Sequence, residues 1–487
     1  MTTLESNGAH PALSGARAPR RPRVLVLSSS LLTDRMLMYS RFRERLAELA
    51  DGRIWTMSAR NADFQPPSVV EGCPIEPLPE LRPFKEFPYN YLRRLNEMTW
   101  DYAQQTPSRL SIRKNLPQRE SILVRQFRWP ALLLAKLGVE RRFENWLENL
   151  CLGYPRSFEA LEKFRADPPD VVITTGPHRY EEPAIIAAAK SLGIPVLAFI
   201  TSWDNLSTKH RMVFKYDGFV LWSEQMEKDL HEFYAQTCGL PIYRVGAPQF
   251  DVFFNDEFRQ SKEEWCAENG LRPELPVILH GLGSPNLVPG EFLAALHLAR
   301  QVADGKLGDV QLVIRPHPLF ETGKEAQQML DFGPRVILQK TGQAGSKLSS
   351  RSLDRQQIVN WVNTFRHCDV LVNIFSTVSV DAAIFDKPVV NLDYDPSPRQ
   401  ERAGLIHDIN HVWNHFKPIT ESGGMWIVKS NEEMVEAVGA YLKDPSLHRQ
   451  KRRWIAEHVC GYIDGRCGER MAEAMVDFAS QRLQQRR

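Results

Sequence analysis

The sequence has little of what marks several large classes of protein. Its seven cysteines among 487 residues are scattered, odd in number and include no C-x-x-C pair, a pattern that fits reduced cytosolic thiols better than a disulfide framework or a zinc site. No run approaches the roughly 18 apolar residues of a membrane span, and the first twenty-odd residues lack the apolar region of a signal peptide. We therefore expect a cytoplasmic protein, peripheral at most to the inner face of the plasma membrane.

Neither sign of charge dominates, and two common nucleotide-binding motifs are missing. The 61 Lys and Arg residues nearly balance the 59 Asp and Glu residues, so no overall charge attracts nucleic acid, and we expect no nucleic-acid partner. The sequence contains no G-x-x-x-x-G-K-[ST] and no G-x-G-x-x-G with a following acidic residue. A Walker loop and a dinucleotide fingerprint are therefore excluded.

Strand and helix patterns alternate along most of the chain, which is the arrangement that produces parallel sheets. We predict an α/β protein with two Rossmann-like domains facing a cleft. The expected parts are a disordered tail at 1–22, a first domain at 23–245, a second domain at 246–455 and a C-terminal helix at 456–487. Ligands of such sheets bind outside the carboxyl ends of the strands.

The segment from 82 to about 150 interrupts the alternation and is predicted to be a helical insertion in the first domain. Between 82 and 142 it carries thirteen Lys and Arg against five acidic residues, with aromatic residues interleaved. In one interpretation the aromatic residues pack on the first domain and the charges are solvated. In the other, the excess of positive charge forms an acceptor-side or membrane-facing surface, because basic side chains near anionic lipid contribute about 1 kcal/mol each.

The sequence VIRPHPLF ends a buried strand of the second domain with a stiff cationic tip. Arg315 can bind a phosphate through charge-assisted, often bidentate hydrogen bonds. His317 can donate to a phosphate oxygen, and Pro316 and Pro318 fix the backbone around it. A histidine between prolines can also simply cap a strand, so this motif needs support from others.

Two further strand ends of the second domain supply that support. Ser376 and Thr377 follow the strand of NIFSTVSVDAA, with Asp381 at the start of the next helix; hydroxyls and backbone N–H groups there suit an anion, although either residue can be a plain N-cap. The turn LHGLGSPN contains glycines that let the backbone approach a ligand closely. From this turn we predict that His280, Gly281 and Gly283 line the cleft.

The first domain offers acid–base groups instead. Asp204 follows the strand IPVLAFITS, with Trp203, Asn205 and Lys209 beside it, and His178 ends the preceding strand. A carboxylate or imidazole at this position can act as general base for an acceptor hydroxyl, and we expect Trp203 to raise the pKa of Asp204 by lowering the local dielectric. Asp204 can also be only an Asx-turn or N-cap residue.

Four sequence elements stand in the order found in a known family. They are SWDNLSTK at 202–209, IRPHP at 314–318, DVLVNIFSTVSVDAAIFDKPVVNLDYD at 369–395 and YIDGRCGER at 462–470. They resemble glycosyltransferase-B enzymes of the CDP-glycerol glycerophosphotransferase and capsule-polysaccharide transferase kind, over about residues 170 to 475. The resemblance implies that His317, Ser376 and Thr377 hold the donor's phosphates with support from Arg315, that the first domain binds the acceptor, and that no metal or cofactor is needed. The family's first motif usually reads W-H-G, where this chain has W-D-N, which favours sugar transfer through an aspartate base.

The expected function is that of a metal-independent glycosyltransferase. It would move a sugar from a nucleotide-activated donor to a hydroxyl of a surface polysaccharide or glycolipid, with Asp204 as general base and His178 in reserve. Three alternatives stay open: a CDP-glycerol-type glycerophosphotransferase, a nucleotide-sugar epimerase on the same two-domain frame, and a catalytically silent scaffold at a membrane surface.

Overall fold

The computed structural model describes residues 20–79, 89–116, 122–138, 157–179, 181–209, 211–317, 331–339 and 354–485, together with residues 146 and 328. Most of the predicted tail, parts of the insertion and Pro318 lie outside the described residues. None of the described helices combines the length and the apolar composition needed to cross a membrane.

The first half of the described chain forms one parallel sheet. Its strands are β1 (Arg23–Ser28), β2 (Asp51–Thr56), β3 (Ile75–Pro77), β4 (Val171–Thr174), β5 (Val196–Phe199), β6 (Gly218–Leu221) and β7 (Ile242–Arg244), in the spatial order β3-β2-β1-β4-β5-β6-β7. Strands β4, β5 and β6 are buried along their whole length, as expected for Val-, Ile- and Leu-rich strands covered on both faces. The strand order reverses between β1 and β4, which places the ligand-binding crevice at their carboxyl ends.

The second half repeats this winding. Its strands are β8 (Val277–Gly281), β9 (Gln311–Arg315), β10 (Val336–Leu338), β11 (Val370–Asn373), β12 (Val389–Leu392) and β13 (Trp426–Val428), in the order β10-β9-β8-β11-β12-β13 and all parallel. Here the order reverses between β8 and β11. The prediction of two Rossmann-like units is confirmed. Of the four three-residue strands at the sheet edges, the sequence predicted β10 and missed β3, β7 and β13, because so few residues show little pattern.

Helices connect and cover the strands. The described helices are α1 (Leu31–Tyr39), α2 (Phe42–Leu49), α3 (Tyr89–Gln104), α4 (Pro107–Asn115), α5 (Ile122–Arg125), α6 (Arg128–Lys136), α7 (Phe158–Ala166), α8 (Pro183–Ser191), α9 (Asn205–Thr208), α10 (Glu224–Phe233), α11 (Lys262–Asn269), α12 (Glu291–Ala303), α13 (Arg355–His367), α14 (Val378–Ile384), α15 (Ala403–His411), α16 (Lys417–Glu421), α17 (Asn431–Lys443), α18 (Arg449–Cys460) and α19 (Cys467–Gln485). Short 3-10 helices lie at Ser58–Arg60, Ala235–Thr237, Pro248–Phe253 and Asp256–Phe258.

The insertion is helical, as predicted, but several of its charges are not solvated. Arg93 on α3 forms a buried ion pair with Glu97, at 2.8 Å between Nε and Oε1. Arg109 and Arg113 on α4 both pair with the fully buried Asp101. Part of the positive charge is therefore used inside the protein to hold the insertion together, because buried charges must be paired.

The end of the chain returns to the first sheet. In place of one helix at 456–487, the structure has α18 and α19, and α19 packs against α2. The Arg45 guanidinium lies 2.7 Å from the Glu473 carboxylate, and the Tyr243 hydroxyl donates to Asp477 at 2.8 Å. The Asp251 carboxylate accepts the Gly468 N–H at 2.7 Å and so caps α19.

Candidate active site

Three strand ends of the second sheet meet at its crevice. Gly281 at the end of β8 is in register with Arg315 on β9 and with Asn373 on β11. The N–H of Leu282 donates to the Arg315 carbonyl at 3.0 Å, which joins the glycine turn to the cationic strand end. The three polar strand ends of the sequence are therefore neighbours at the reversal point of the sheet.

The Arg315 side chain is oriented by a buried polar residue. Its Nη1 donates to Gln339 Oε1 at 2.5 Å, and Gln339 Nε2 donates in turn to Thr364 Oγ1 at 2.8 Å. His317 stands two residues further on and is half-buried. A guanidinium held in this way loses little side-chain freedom when it binds an anion, which suits it to a phosphate.

The turn that carries Ser376 and Thr377 has a strained backbone. Phe375 has φ of 27°, outside the usual range for a residue with a side chain, and its N–H donates to Asn391 Oδ1 at 2.8 Å. Such a conformation costs about 1–3 kcal/mol and persists where the surroundings enforce it. Thr377 occupies the N-cap position of α14 but makes no side-chain capping bond. The plain N-cap interpretation therefore does not account for its hydroxyl.

The sequence predicts that His280 lines the crevice, but the structure places it beneath the glycine turn. Its side chain is completely buried, and burial lowers its pKa to about 3. His280 Nε2 lies 3.9 Å from the carboxyl of Glu291, whose pKa burial raises to about 8. The Glu291 carboxyl accepts the Gly283 N–H at 2.7 Å. A buried imidazole and a buried carboxyl group therefore support the turn from inside.

Asp381 is also buried instead of open to the crevice. Its Oδ1 accepts the indole N–H of Trp361 at 2.7 Å, and burial raises its pKa to about 7, against the opposing effects of that bond and of Arg35 and Arg315. The Arg35 guanidinium lies 4.2 Å from the centre of the Trp361 ring. Asp381 thus forms part of the support behind the phosphate-binding turn.

The acid–base candidates of the first sheet share one pocket. It has a volume of about 410 Å³ and lies at the carboxyl ends of β4 and β5. Its lining includes four predicted site residues, together with other residues of the same loops: Leu32, Thr175, Gly176, Pro177, His178, Arg179, Glu181, Thr201, Ser202, Asp204, Asn205 and Lys209. Trp203 is buried and points away from this lining, against the aromatic rings of the second half.

The pKa of Asp204 is lowered, so the expectation of a raised value is wrong. Burial alone would raise it, but the charges of Lys209 and His415 and hydrogen bonds from Ser202 and Thr208 together outweigh burial. Ser202 Oγ donates to one carboxylate oxygen at 2.5 Å and Thr208 Oγ1 to the other at 2.9 Å. Asp204 is consequently ionised at neutral pH. Its side chain makes no hydrogen bond that caps α9.

Arginines of the insertion donate hydrogen bonds to the two segments that follow β4 and β5 and line this pocket. Arg93 Nη2 on α3 donates to the carbonyl of His178 at 3.1 Å. Arg109 Nη1 on α4 donates to the carbonyl of Thr208 at 3.2 Å, at the end of the helix that Asp204 begins. The arginines of the insertion therefore position the pocket's two strand ends.

His415 completes the first-sheet site from the second half of the chain, and the sequence reasoning missed it. Its ring meets the Trp203 ring edge-on, with centroids 4.9 Å apart, and its Nδ1 lies 3.2 Å from Ser207 Oγ. Burial lowers the pKa of His415 to about 4, so the imidazole carries the positive charge that favours the Asp204 carboxylate only in acidic solution. The concentration of aromatic and histidine residues in HVWNHF at 411–416 was the available signal.

Helix α1 connects the two sites. Leu32 lines the 410 Å³ pocket, and Arg35, three residues later, stacks on Trp361 beside Asp381. Residues three apart on a helix are neighbours on its surface, with Cβ atoms about 5–6 Å apart. Helix α1 therefore contacts the first-sheet pocket through Leu32 and, about one turn later, the residues beneath the phosphate-binding turn through Arg35.

A family model described as CDP-Glycerol:Poly(glycerophosphate) glycerophosphotransferase matches residues 207–477, more than half of the chain. The chain belongs to the CDP-glycerol glycerophosphotransferase family. The match to this transferase family includes three of the four elements quoted from the sequence and begins just after Asn205. The departure at 203–205 therefore lies outside the matched residues.

Solved structures of two kinds share the fold. A putative UDP-N-acetylglucosamine 2-epimerase from Listeria monocytogenes is 12% identical, with a TM-score of 0.52 over 94% of this chain and 97% of that one. The wall teichoic acid polymerase TagF, soaked with CDPG, is 10% identical, with a TM-score of 0.50 over 95% of this chain and 90% of that one. No curated protein matches the sequence. At these identities the likeness shows the two-domain α/β fold alone.

Proposed function

We propose that this member of the glycerophosphotransferase family is a glycosyltransferase that uses a nucleotide-activated donor. It transfers a sugar to a hydroxyl of a surface polysaccharide or glycolipid. The observation that carries the proposal is the register of Gly281, Arg315 and Asn373, which brings the cationic, glycine-rich and hydroxyl-bearing strand ends together. Such a group is suited to a diphosphate, because cations and backbone N–H groups both favour negative charge.

The second-sheet residues act on the leaving group. Arg315, His317, Ser376 and Thr377 bind the donor's diphosphate and stabilise the charge that grows on it as the sugar leaves. Support comes from Gln339, which orients Arg315, and from the enforced turn at Phe375. The chemistry proposed for these four residues needs no metal ion.

Asp204 accepts the proton of the acceptor hydroxyl. Its carboxylate is charged at neutral pH and lines a pocket large enough for part of an acceptor. The bonds from Ser202 and Thr208 hold the carboxylate in one orientation but also make it a weak base, so proton transfer accompanies bond formation. His178 lines the same pocket and is the reserve base.

A second candidate is transfer of glycerol phosphate, and the family match over 207–477 favours it. The same strand ends would then bind the phosphate that is transferred. The two reactions differ in their nucleotide product. Sugar transfer from a nucleoside diphosphate sugar releases the nucleoside diphosphate, whereas glycerol phosphate transfer from CDP-glycerol breaks the bond between the phosphates and releases CMP.

The nucleotide product therefore tests the proposal. The full chain is incubated with UDP-, GDP-, CDP- and dTDP-activated donors, with and without a glycan acceptor, and products are separated by chromatography. Acceptor-dependent release of a nucleoside diphosphate supports sugar transfer, and acceptor-dependent release of CMP supports the second candidate. An altered sugar nucleotide without acceptor would indicate an epimerase, and no turnover of any donor would favour a scaffold.

The acceptor side has an exposed apolar face that suits a membrane surface. On α6 and directly after it, Trp129, Leu133 and Leu137 recur every four residues and are 80%, 59% and 63% exposed. Basic residues Arg128 and Lys136 lie on the same helix, a combination found in helices that bind anionic membranes. We expect flotation with phosphatidylserine vesicles that L133S/L137S reduces several-fold and V69S, at another exposed apolar site, leaves unchanged. Equal flotation of both variants would exclude this face.

A further inference from the structure

Three potential metal ligands at the end of β12 are unused by the proposed transfer. Asp393 directly follows β12, and His407 and His411 lie four residues apart on α15, on the same face of that helix. One nitrogen of each histidine and one oxygen of Asp393 all lie within 4.8 Å of one another. Two imidazoles and one carboxylate form a donor set that first-row transition metals favour.

The distances fit a metal ion with little movement. His411 Nε2 lies 2.9 Å from Asp393 Oδ2, and the ring centroids of His407 and His411 are 4.7 Å apart. Ligand atoms at about 2.0–2.2 Å from a zinc ion are roughly 3–3.5 Å from each other. The three side chains therefore need to shift by about an ångström or less to surround one ion.

The carboxylate is held from behind, as the ligands of metal sites commonly are. Asn410 Nδ2 donates to Asp393 Oδ1 at 2.9 Å, which leaves Oδ2 directed at His411. Asn410 Oδ1 accepts from Asn391 Nδ2 at 2.9 Å, and Asn391 Oδ1 accepts from the N–H of Phe375. This chain of hydrogen bonds connects the cluster to the turn of the phosphate site.

The cluster is open on one side. The Asp393 side chain is 5% exposed and that of His411 is 34% exposed, while His407 is exposed to solvent. An ion can therefore enter from solvent and keep water in its remaining positions. A single hydrogen bond explains the contact between Asp393 and His411 but gives no reason for the second imidazole.

We propose that Asp393, His407 and His411 bind one divalent transition-metal ion of the Zn²⁺ type. The ion ties β12 to α15. The same helix contacts the insertion, because the Asp408 carboxylate accepts from Ser111 Oγ and Asn115 Nδ2, both at 2.8 Å. The ion thus stabilises the position of α15, through which the second half contacts the insertion of the first. The proposal is independent of the transferred group.

The test uses the untagged full chain after treatment with a chelator. Zn²⁺ is titrated by calorimetry, and Co²⁺ is titrated with its visible absorption as the readout. We expect one ion per chain and a Tm rise of about 2–3 °C at a hundredfold excess over Kd. H407A and H411A are expected to lower the affinity for Zn²⁺ by at least about tenfold. The control variant H297A, which removes a half-buried histidine from α12, should leave that affinity unchanged.

Two results would overturn the site. One is the absence of stoichiometric Zn²⁺ or Co²⁺ binding to the wild-type chain. The other is binding that survives in both histidine variants, as expected if an exposed thiol such as Cys238 held the ion. Circular dichroism of each variant confirms that a loss of binding is not a loss of fold, and the exposure of His407 makes its variant the safer of the two.

Discussion

H317A is expected to lower the rate of group transfer by about 10²–10³-fold while the protein stays folded. One well-placed donor to a charge that develops in the transition state contributes about this much. His317 is half-buried and follows β9, so its loss removes a donor at the crevice without opening the core. Steady-state kinetics with the donor found to be active, and a thermal unfolding curve, measure the two parts of this expectation.

The matched control for this variant is H297A, which removes a half-buried histidine from α12 in the same half of the chain. It should keep both turnover and Tm. If H317A retains wild-type kcat/KM, His317 does not bind the reacting diphosphate. If both variants lose activity and also have a lower Tm, the loss of activity reflects a loss of fold. The site is then tested with R315K, which keeps the positive charge but loses the planar guanidinium donor.

D204N is expected to lower kcat by about 10²–10⁴-fold, the range for loss of a general base. The amide is close in size to the carboxylate and its oxygen can still accept from Thr208 Oγ1, so the pocket keeps its shape. The comparison is with H178A, since His178 lines the same pocket. Loss in H178A with full activity in D204N would transfer the role of base to His178.

The pH dependence provides an independent check on Asp204. Because the pKa of Asp204 is lowered in the folded chain, the carboxylate stays ionised until the pH falls below the ordinary aspartate range. If Asp204 determines the acid limb of the pH profile of kcat, that limb should therefore lie below about pH 4. The stability that this charge contributes is present above the unfolded pKa and is lost as the pH falls through the folded value. A limb near pH 6–7 that disappears in H178A would contradict the assignment.

The sequence predicted the elements whose signal is local. Buried runs such as Val171–Thr174 and Val370–Asn373 are β strands, and polar residues at strand ends could be grouped because parallel strands end on the same side. The sequence pattern did not distinguish a residue facing the crevice from one beneath it. His280 and Asp381 were therefore expected at the surface of the site, although both are buried.

Other features depend on contacts between distant parts of the chain. His415 reaches Trp203 across more than two hundred residues, and Arg35 reaches Trp361 across more than three hundred. The lowered pKa of Asp204 follows from four neighbours, of which His415 is remote in sequence, so the adjacent tryptophan gave the wrong sign. The pairing of Arg109 with Asp101 likewise shows only in the folded insertion.

The binding of nucleotides to the second-sheet strand ends tests the central claim most directly. Calorimetric titration of CDP, UDP, GDP, dTDP and CMP into the wild-type chain and R315A should give one bound diphosphate per wild-type chain. The arginine contributes charge-assisted hydrogen bonds of about 1.5–3 kcal/mol. R315A should therefore bind the same nucleoside diphosphate with an affinity roughly 10- to 100-fold lower. Failure of every nucleoside diphosphate to bind the wild-type chain, or equal binding by R315A, would contradict the account.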